Sequence, residues 1–140
     1  MIKNVILITI LILFVGCSIK GSPSLWSARL ADKMNSKVPF EQEMNLGYSA
    51  KMVVYKATNH NNTITYFATT NAFQTIKAES NDYESMKKAN KGLCTQYLVK
   101  QMLTKGLEII YDVKETKNSE ESIQLIFNRS ECSKYGYNIN

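Results

Sequence analysis

The chain has 140 residues, 17 basic against 12 acidic for a formal net charge of +5, 44% hydrophobic residues, three cysteines and one histidine. That is apolar material for one domain with a single core. Only Arg29 and Arg129 are arginines and the lysines are scattered without interleaved aromatics, which excludes a nucleic-acid footprint.

Residues 1–16 read as an export signal. Lys3 supplies a basic start, Val5 to Val15 a run that is apolar but for Thr9, and Gly16-Cys17 a small residue followed by cysteine. The run is shorter than the ~20 apolar residues that a spanning helix needs. The ending Phe14-Val15-Gly16-Cys17 resembles a bacterial lipobox, in which Cys17 is acylated and becomes the first mature residue. Several acyl chains on one residue hold a protein at a membrane where one is marginal. Ser18 rather than Asp after the lipid cysteine resembles lipoproteins forwarded to the outer membrane. With Cys17 assigned to lipid, Cys94 and Cys132 remain as an even pair in an oxidising compartment. If they pair, the bridge closes a loop of roughly 39 residues, worth about 4 kcal/mol in the chain-entropy model.

Residues 17–24 are the lipidated start and a polar tether, 25–134 a single α+β domain and 135–140 a loose or lightly docked tail. Ser22 can cap and Pro23 can open a helix to about Ser36, with Trp26, Leu30 and Met34 on one face. Tyr48 to Ala57 and Thr63 to Thr69 alternate as two strands of a hairpin, with Ile64, Tyr66 and Ala68 on one face, Phe67 on the other, and a turn-rich connector from Thr58 to Asn62. The lone His60 lies in that connector and reads as a solvated turn residue. Asn71 to Ser80 fits either a short helix or a connecting strand. Asn81 with Glu84 suggests a capping box for a helix to about Lys91, Gly92 a break, and Leu93 to Lys105 a further helix stopped by Gly106. Leu107 to Lys114 and Ser122 to Arg129 alternate as a second hairpin across the polar Glu115 to Glu121 connector. Four clear strands and several helices predict an α+β fold: an antiparallel sheet of four or five strands, one face covered by helices, with one disulfide.

No nucleophile with its base, metal cluster, carboxylate pair or phosphate loop stands at a readable spacing, so the chain reads as a binding module that needs no cofactor rather than an enzyme. The string Leu93-Cys94, Val99-Lys100, Met102-Leu103-Thr104, Gly106, Thr116 and Arg129-Ser130 with Cys132 resembles the pilotins of type II secretion systems, in the AspS/YghG class rather than the all-helical class. The resemblance is specific over Leu93 to Cys132; before that, only the order of elements corresponds. It implies a sheet of about five strands flanked by helices, with the missing strand sought in Asn71 to Ser80, and a Cys94–Cys132 disulfide. It further implies an outer-membrane lipoprotein, facing the periplasm, that binds the C-terminal segment of a secretin subunit and carries it to the outer membrane. Helix-in-groove recognition would be the physical mode, with Trp26, Leu30, Met34, Phe73, Tyr97 and Met102 as the candidate partner contacts. The alternatives are a lipoprotein inhibitor of lysozyme, against which the long helical stretch from Asp82 to Lys105 argues, and another surface or exclusion binding module.

Overall fold

The computed structural model describes residues 21–45 and 49–138. The expected leader, Cys17, the first part of the tether and Tyr48 lie outside them. In chain order the elements are α1 (Pro23–Asn35), β1 (Phe40–Asn45), β2 (Ser49–His60), β3 (Thr63–Thr69), α2 (Phe73–Glu79), α3 (Tyr83–Cys94), α4 (Tyr97–Thr104), β4 (Glu108–Lys114), β5 (Ile123–Phe127) and α5 (Arg129–Lys134).

Five strands form one sheet in the order β1-β2-β3-β4-β5. Three joints are antiparallel, but β3 and β4 run parallel, in register from Thr63 opposite Glu108 to Thr69 opposite Lys114. The sheet is therefore mixed, a correction to the wholly antiparallel expectation. Parallel neighbours need a crossover, and α2, α3 and α4 provide it.

Strands β3 and β4 alternate strictly, burying Ile64, Tyr66 and Ala68 beside Ile109, Tyr111 and Val113, and β5 adds Leu125 and Phe127. Strand β2 buries Ala50, Met52 and Val54, then Ala57. A register shift between Val54 and Lys56 inserts one residue there, so the inward set changes from even to odd positions. Beside this bulge Asn35 ends α1, donating its side-chain amide to the Ala57 carbonyl (2.7 Å) and accepting from the Ala57 N–H (2.8 Å).

Helix α1 starts as its sequence dictates. Ser22 is extended and its hydroxyl accepts from the Leu25 N–H, Pro23 takes the first turn, and Trp26, Leu30 and Met34 pack on the core. Each such large apolar side chain contributes ~1.5–3 kcal/mol on burial.

The fifth strand is Phe40–Asn45, not Asn71 to Ser80, which holds α2. Its inward position Gln42 is polar, which hides the alternation in the sequence. Gln42 is buried because its amide donates to the Tyr111 hydroxyl at 2.8 Å, across the face of the sheet. The hairpin connector is only Asn61-Asn62, with Asn61 at φ +51°, a conformation that Asn tolerates better than most residues. Helix α3 is capped by Asp82, whose carboxylate accepts from the Ser85 N–H at 2.9 Å, whereas Asn81 folds back onto the Lys77 carbonyl. That hydrogen bond holds the Asp82 carboxyl below its ordinary pKa. Gly92 lies inside α3, and the helical stretch breaks at Thr95 and the extended Gln96 instead. In the described part of the tail, Tyr135 is buried against the Tyr83 ring at 5.1 Å, and Tyr137 donates to the Lys87 carbonyl.

Candidate functional site

The unit from Leu93 to Cys132 is held by one covalent bond. Cys94 ends α3, Cys132 sits within α5, both are buried, and they form a disulfide with Cα atoms 5.8 Å apart. Helix α5 is absent from the sequence expectation. Asn128 makes it, since the extended Asn128 accepts from the Glu131 N–H at 2.8 Å and caps the turn that carries Cys132.

Around this unit the six candidate contact residues divide. Trp26, Leu30, Met34, Phe73 and Met102 are buried in the chain's own core. Tyr97 is 71% exposed at the first position of α4. Of the six, only Tyr97 reaches solvent to this extent, and the other five are core side chains.

Helix α4 is flanked by two shallow recesses of about 390 and 340 Å³, which share Thr104 and Lys105. The smaller runs from Tyr97 along Lys100 and Gln101; the larger continues past Gly106 to Asn62, Glu108 and Arg129. Helix α4 stops where its last turn meets Gly106 at φ +106°, a backbone that glycine adopts without penalty. The Gly106 carbonyl accepts from the Asn62 side chain, and the Asn62 carbonyl accepts from the Glu108 N–H at 2.9 Å, so the two turns are tied. The Glu108 carboxylate is occupied by the Asn128 amide (2.8 Å) and the Thr63 hydroxyl (3.3 Å). Lys105 extends over the Trp26 ring, 5.7 Å from its centre. The recess walls carry Lys100, Lys105 and Arg129. Lys105 and Arg129 are 24 positions apart in the chain, and nothing in their spacing announces that the turns bring them to one wall.

The titratable groups deepest in the fold are Tyr66 and Tyr111, with rings 5.1 Å apart. Burial pushes both phenols up; the adjacent Tyr111 raises Tyr66 further, while the bond from Gln42 partly offsets the rise at Tyr111. They lie in the core, away from the recesses around α4, and act there as packed rings. Among the described residues no cluster of three or more His, Cys, Asp or Glu side chains could hold a metal ion, and no helix is long and apolar enough to cross a membrane.

No protein-family model matches the chain, and no curated protein matches it. Solved structures do. The pilotin EpsS of the Vibrio vulnificus type 2 secretion system aligns at 14% identity over 79% of this chain and 91% of that one, with a TM-score of 0.56. The type II secretion pilotin AspS of Vibrio cholerae aligns at 13% identity over 79% and 92%, with a TM-score of 0.54. A secreted protein of Pseudomonas aeruginosa aligns at 15% identity over 79% and 92%, with a TM-score of 0.59. At such identities the likeness is one of architecture: a five-stranded mixed sheet with helices packed on it, which is the pilotin-type fold.

Proposed function

We propose that this chain is a pilotin: an outer-membrane lipoprotein, anchored through acylated Cys17, that binds the C-terminal segment of a type II secretion secretin and targets it to the outer membrane for assembly. The observation that carries the reading is the fold shared with two type II secretion pilotins over four-fifths of the chain. The Gly16-Cys17 leader ending supports it independently of the fold. In this reading the chain contributes binding and delivery.

Partner contact is assigned to Tyr97 and the smaller recess along Lys100 and Gln101, with Met102 of the same helix packed in the core. A helical secretin segment would order as it binds, and the conformational entropy of its ordering would be offset by burial of its apolar face. An exposed aromatic at the end of a recess is the kind of residue that dominates such contacts.

The test is fractionation of a strain lacking this gene. The secretin is expected in the inner membrane, with secretion lost. Restoring the Cys17→Ser chain should leave capture of the secretin segment intact while its delivery fails. Secretin assembled normally in the outer membrane of the deletion strain, with no second pilotin encoded, overturns the reading.

A further inference from the structure

We propose that the end of the domain at which the chain enters is a docking surface for anionic phospholipid headgroups, so that a tethered domain sits with that end against the membrane. The inference rests on the lipid-anchor reading of Cys17. Three turns meet at this end. Ser27, early in α1, donates to the Asn61 carbonyl at 2.5 Å; Asn62 donates to the Gly106 carbonyl; Lys105 covers the Trp26 ring. Arg129 opens α5 on the wall of the same recess. Lys105 and Arg129 are both exposed and neither has a carboxylate partner among the described residues. Glu108, on the same wall, is hydrogen-bonded by Asn128 and Thr63, and Glu131 pairs with Lys134.

The opposite end of the sheet carries the other sign. There the Thr70 N–H donates to the Lys114 carbonyl, α2 begins, and Lys77 pairs with Glu121 of the β4–β5 connector. On α2, the start of α3 and that connector, Glu79, Asp82, Glu84, Glu115, Glu120 and Glu121 outnumber Lys77 and Lys117, leaving that end negative in balance. The domain is thus electrically polar along the sheet, positive where its N-terminal segment leaves and negative at the far side.

Distances decide what this polarity can do. From Cys17 to Pro23 an extended tether reaches at most ~20 Å, which permits the domain to tumble. The field of an anionic leaflet decays within ~8 Å at physiological ionic strength. A domain of this length has a radius of gyration of about 13 Å, so when it stands end-on its far end lies outside that layer, and when it lies side-on the far carboxylates enter it. Only the orientation with the tether end down places Lys105 and Arg129 in the attractive layer and the far carboxylates outside it. Each basic side chain so placed strengthens surface association by about five-fold.

The full chain, reconstituted in vesicles of phosphatidylcholine alone or with phosphatidylglycerol added, tests this by amine labelling read residue by residue. Lys105 should react several-fold more slowly on the anionic vesicles and Lys117, at the far end, equally on both. Raising salt until the screening length is ~3 Å should remove the difference. Arg129→Glu should weaken the protection of Lys105, and Glu120→Gln should leave it unchanged. Equal Lys105 rates on the two vesicle types overturn the proposal. So does equal protection by inorganic phosphate or by an acidic peptide without vesicles, since either would assign the recess to another ligand. The mass of Cys17 reports the anchor separately. An unacylated Cys17 sinks that reading alone, because the uncleaved apolar run of Val5 to Val15 would still hold the N-terminus at the vesicle and the Lys105 comparison would still be read.

Discussion

The two faces of the sheet are written in the same strands by the same alternation, yet they are different materials. On the covered face Met52, Val54, Ile64, Tyr111 and Phe127 are completely enclosed. On the open face Val53, Tyr55, Phe67, Ile110 and Ile126 stay partly exposed, and lysines lie across the rings: Lys56 over Phe67 at 5.7 Å and Lys117 over Tyr55 at 4.9 Å. The aliphatic stems of those lysines shield apolar area while their ammonium groups remain in water. The contrast teaches that alternation fixes which residues share a face, while the helical layer determines how much each residue on that face is worth.

The largest expected effect comes from emptying the covered face. Phe127→Ala removes a ring packed edge-on against Tyr111 at 5.9 Å and should lower unfolding free energy by ~3–5 kcal/mol, seen as an earlier urea midpoint. Loss of the disulfide comes next. Cys94→Ala with Cys132→Ala should cost ~2–4 kcal/mol, and hydrogen exchange should quicken first in α3 and α5 rather than in the central strands. If the strands open as readily as those helices, the helical layer is not the separable part of the fold.

Polar groups on the covered face give the intermediate effect. Gln42→Ala strips the Tyr111 hydroxyl of its donor and should cost ~1–3 kcal/mol. The same face makes the domain sensitive to alkali. The phenols of Tyr66 and Tyr111 are raised in the folded state, so the unfolded chain loses these protons first. Stability from these groups is intact below the unfolded tyrosine pKa of about 10 and falls as pH climbs above it. Tyr66→Phe should flatten that fall. The smallest effect belongs to the open face, where Phe67→Ala should cost about 1 kcal/mol or less, because the ring loses its Tyr55 neighbour at 6.5 Å but little burial. A Phe67→Ala loss equal to that of Phe127→Ala would abolish the distinction between the faces.

Much of this fold was legible in the residues. Ser22-Pro23, the period of Trp26, Leu30 and Met34, and the alternation of Ile64 to Ala68 and Leu107 to Val113 each reported a local preference that tertiary structure left unchanged. Misreadings fell where a partner distant in sequence decided the outcome. Gln42 is inward only because Tyr111 receives its amide, so β1 did not read as a strand. The parallel joint between β3 and β4 has no local signature at all, since hairpin patterns look the same whichever neighbour they join. Gly92 lies within α3, and the break it suggested comes further on, at Thr95 and Gln96. For the site, period and spacing pointed to α1 and α4 but could not separate a core residue from a contact residue. Five of the six named side chains fill the interior, and the recess walls come from turns whose meeting depends on Asn62 and Gly106.

The parallel joint also sets an order of events. The β1–β2–β3 meander can form from neighbouring sequence, but β3 cannot meet β4 until 45 further residues are present, as from Thr63 to Glu108. A chain that emerges from a membrane N-terminus first would hold an open β3 edge during that interval, and an open edge pairs with whatever strand arrives. Cys94 would likewise wait 38 residues for Cys132. The crossover helices therefore stand between early collapse and the completed sheet, and for a chain exported in that way, the emergence of residues 70–108 would be the stage most exposed to aggregation.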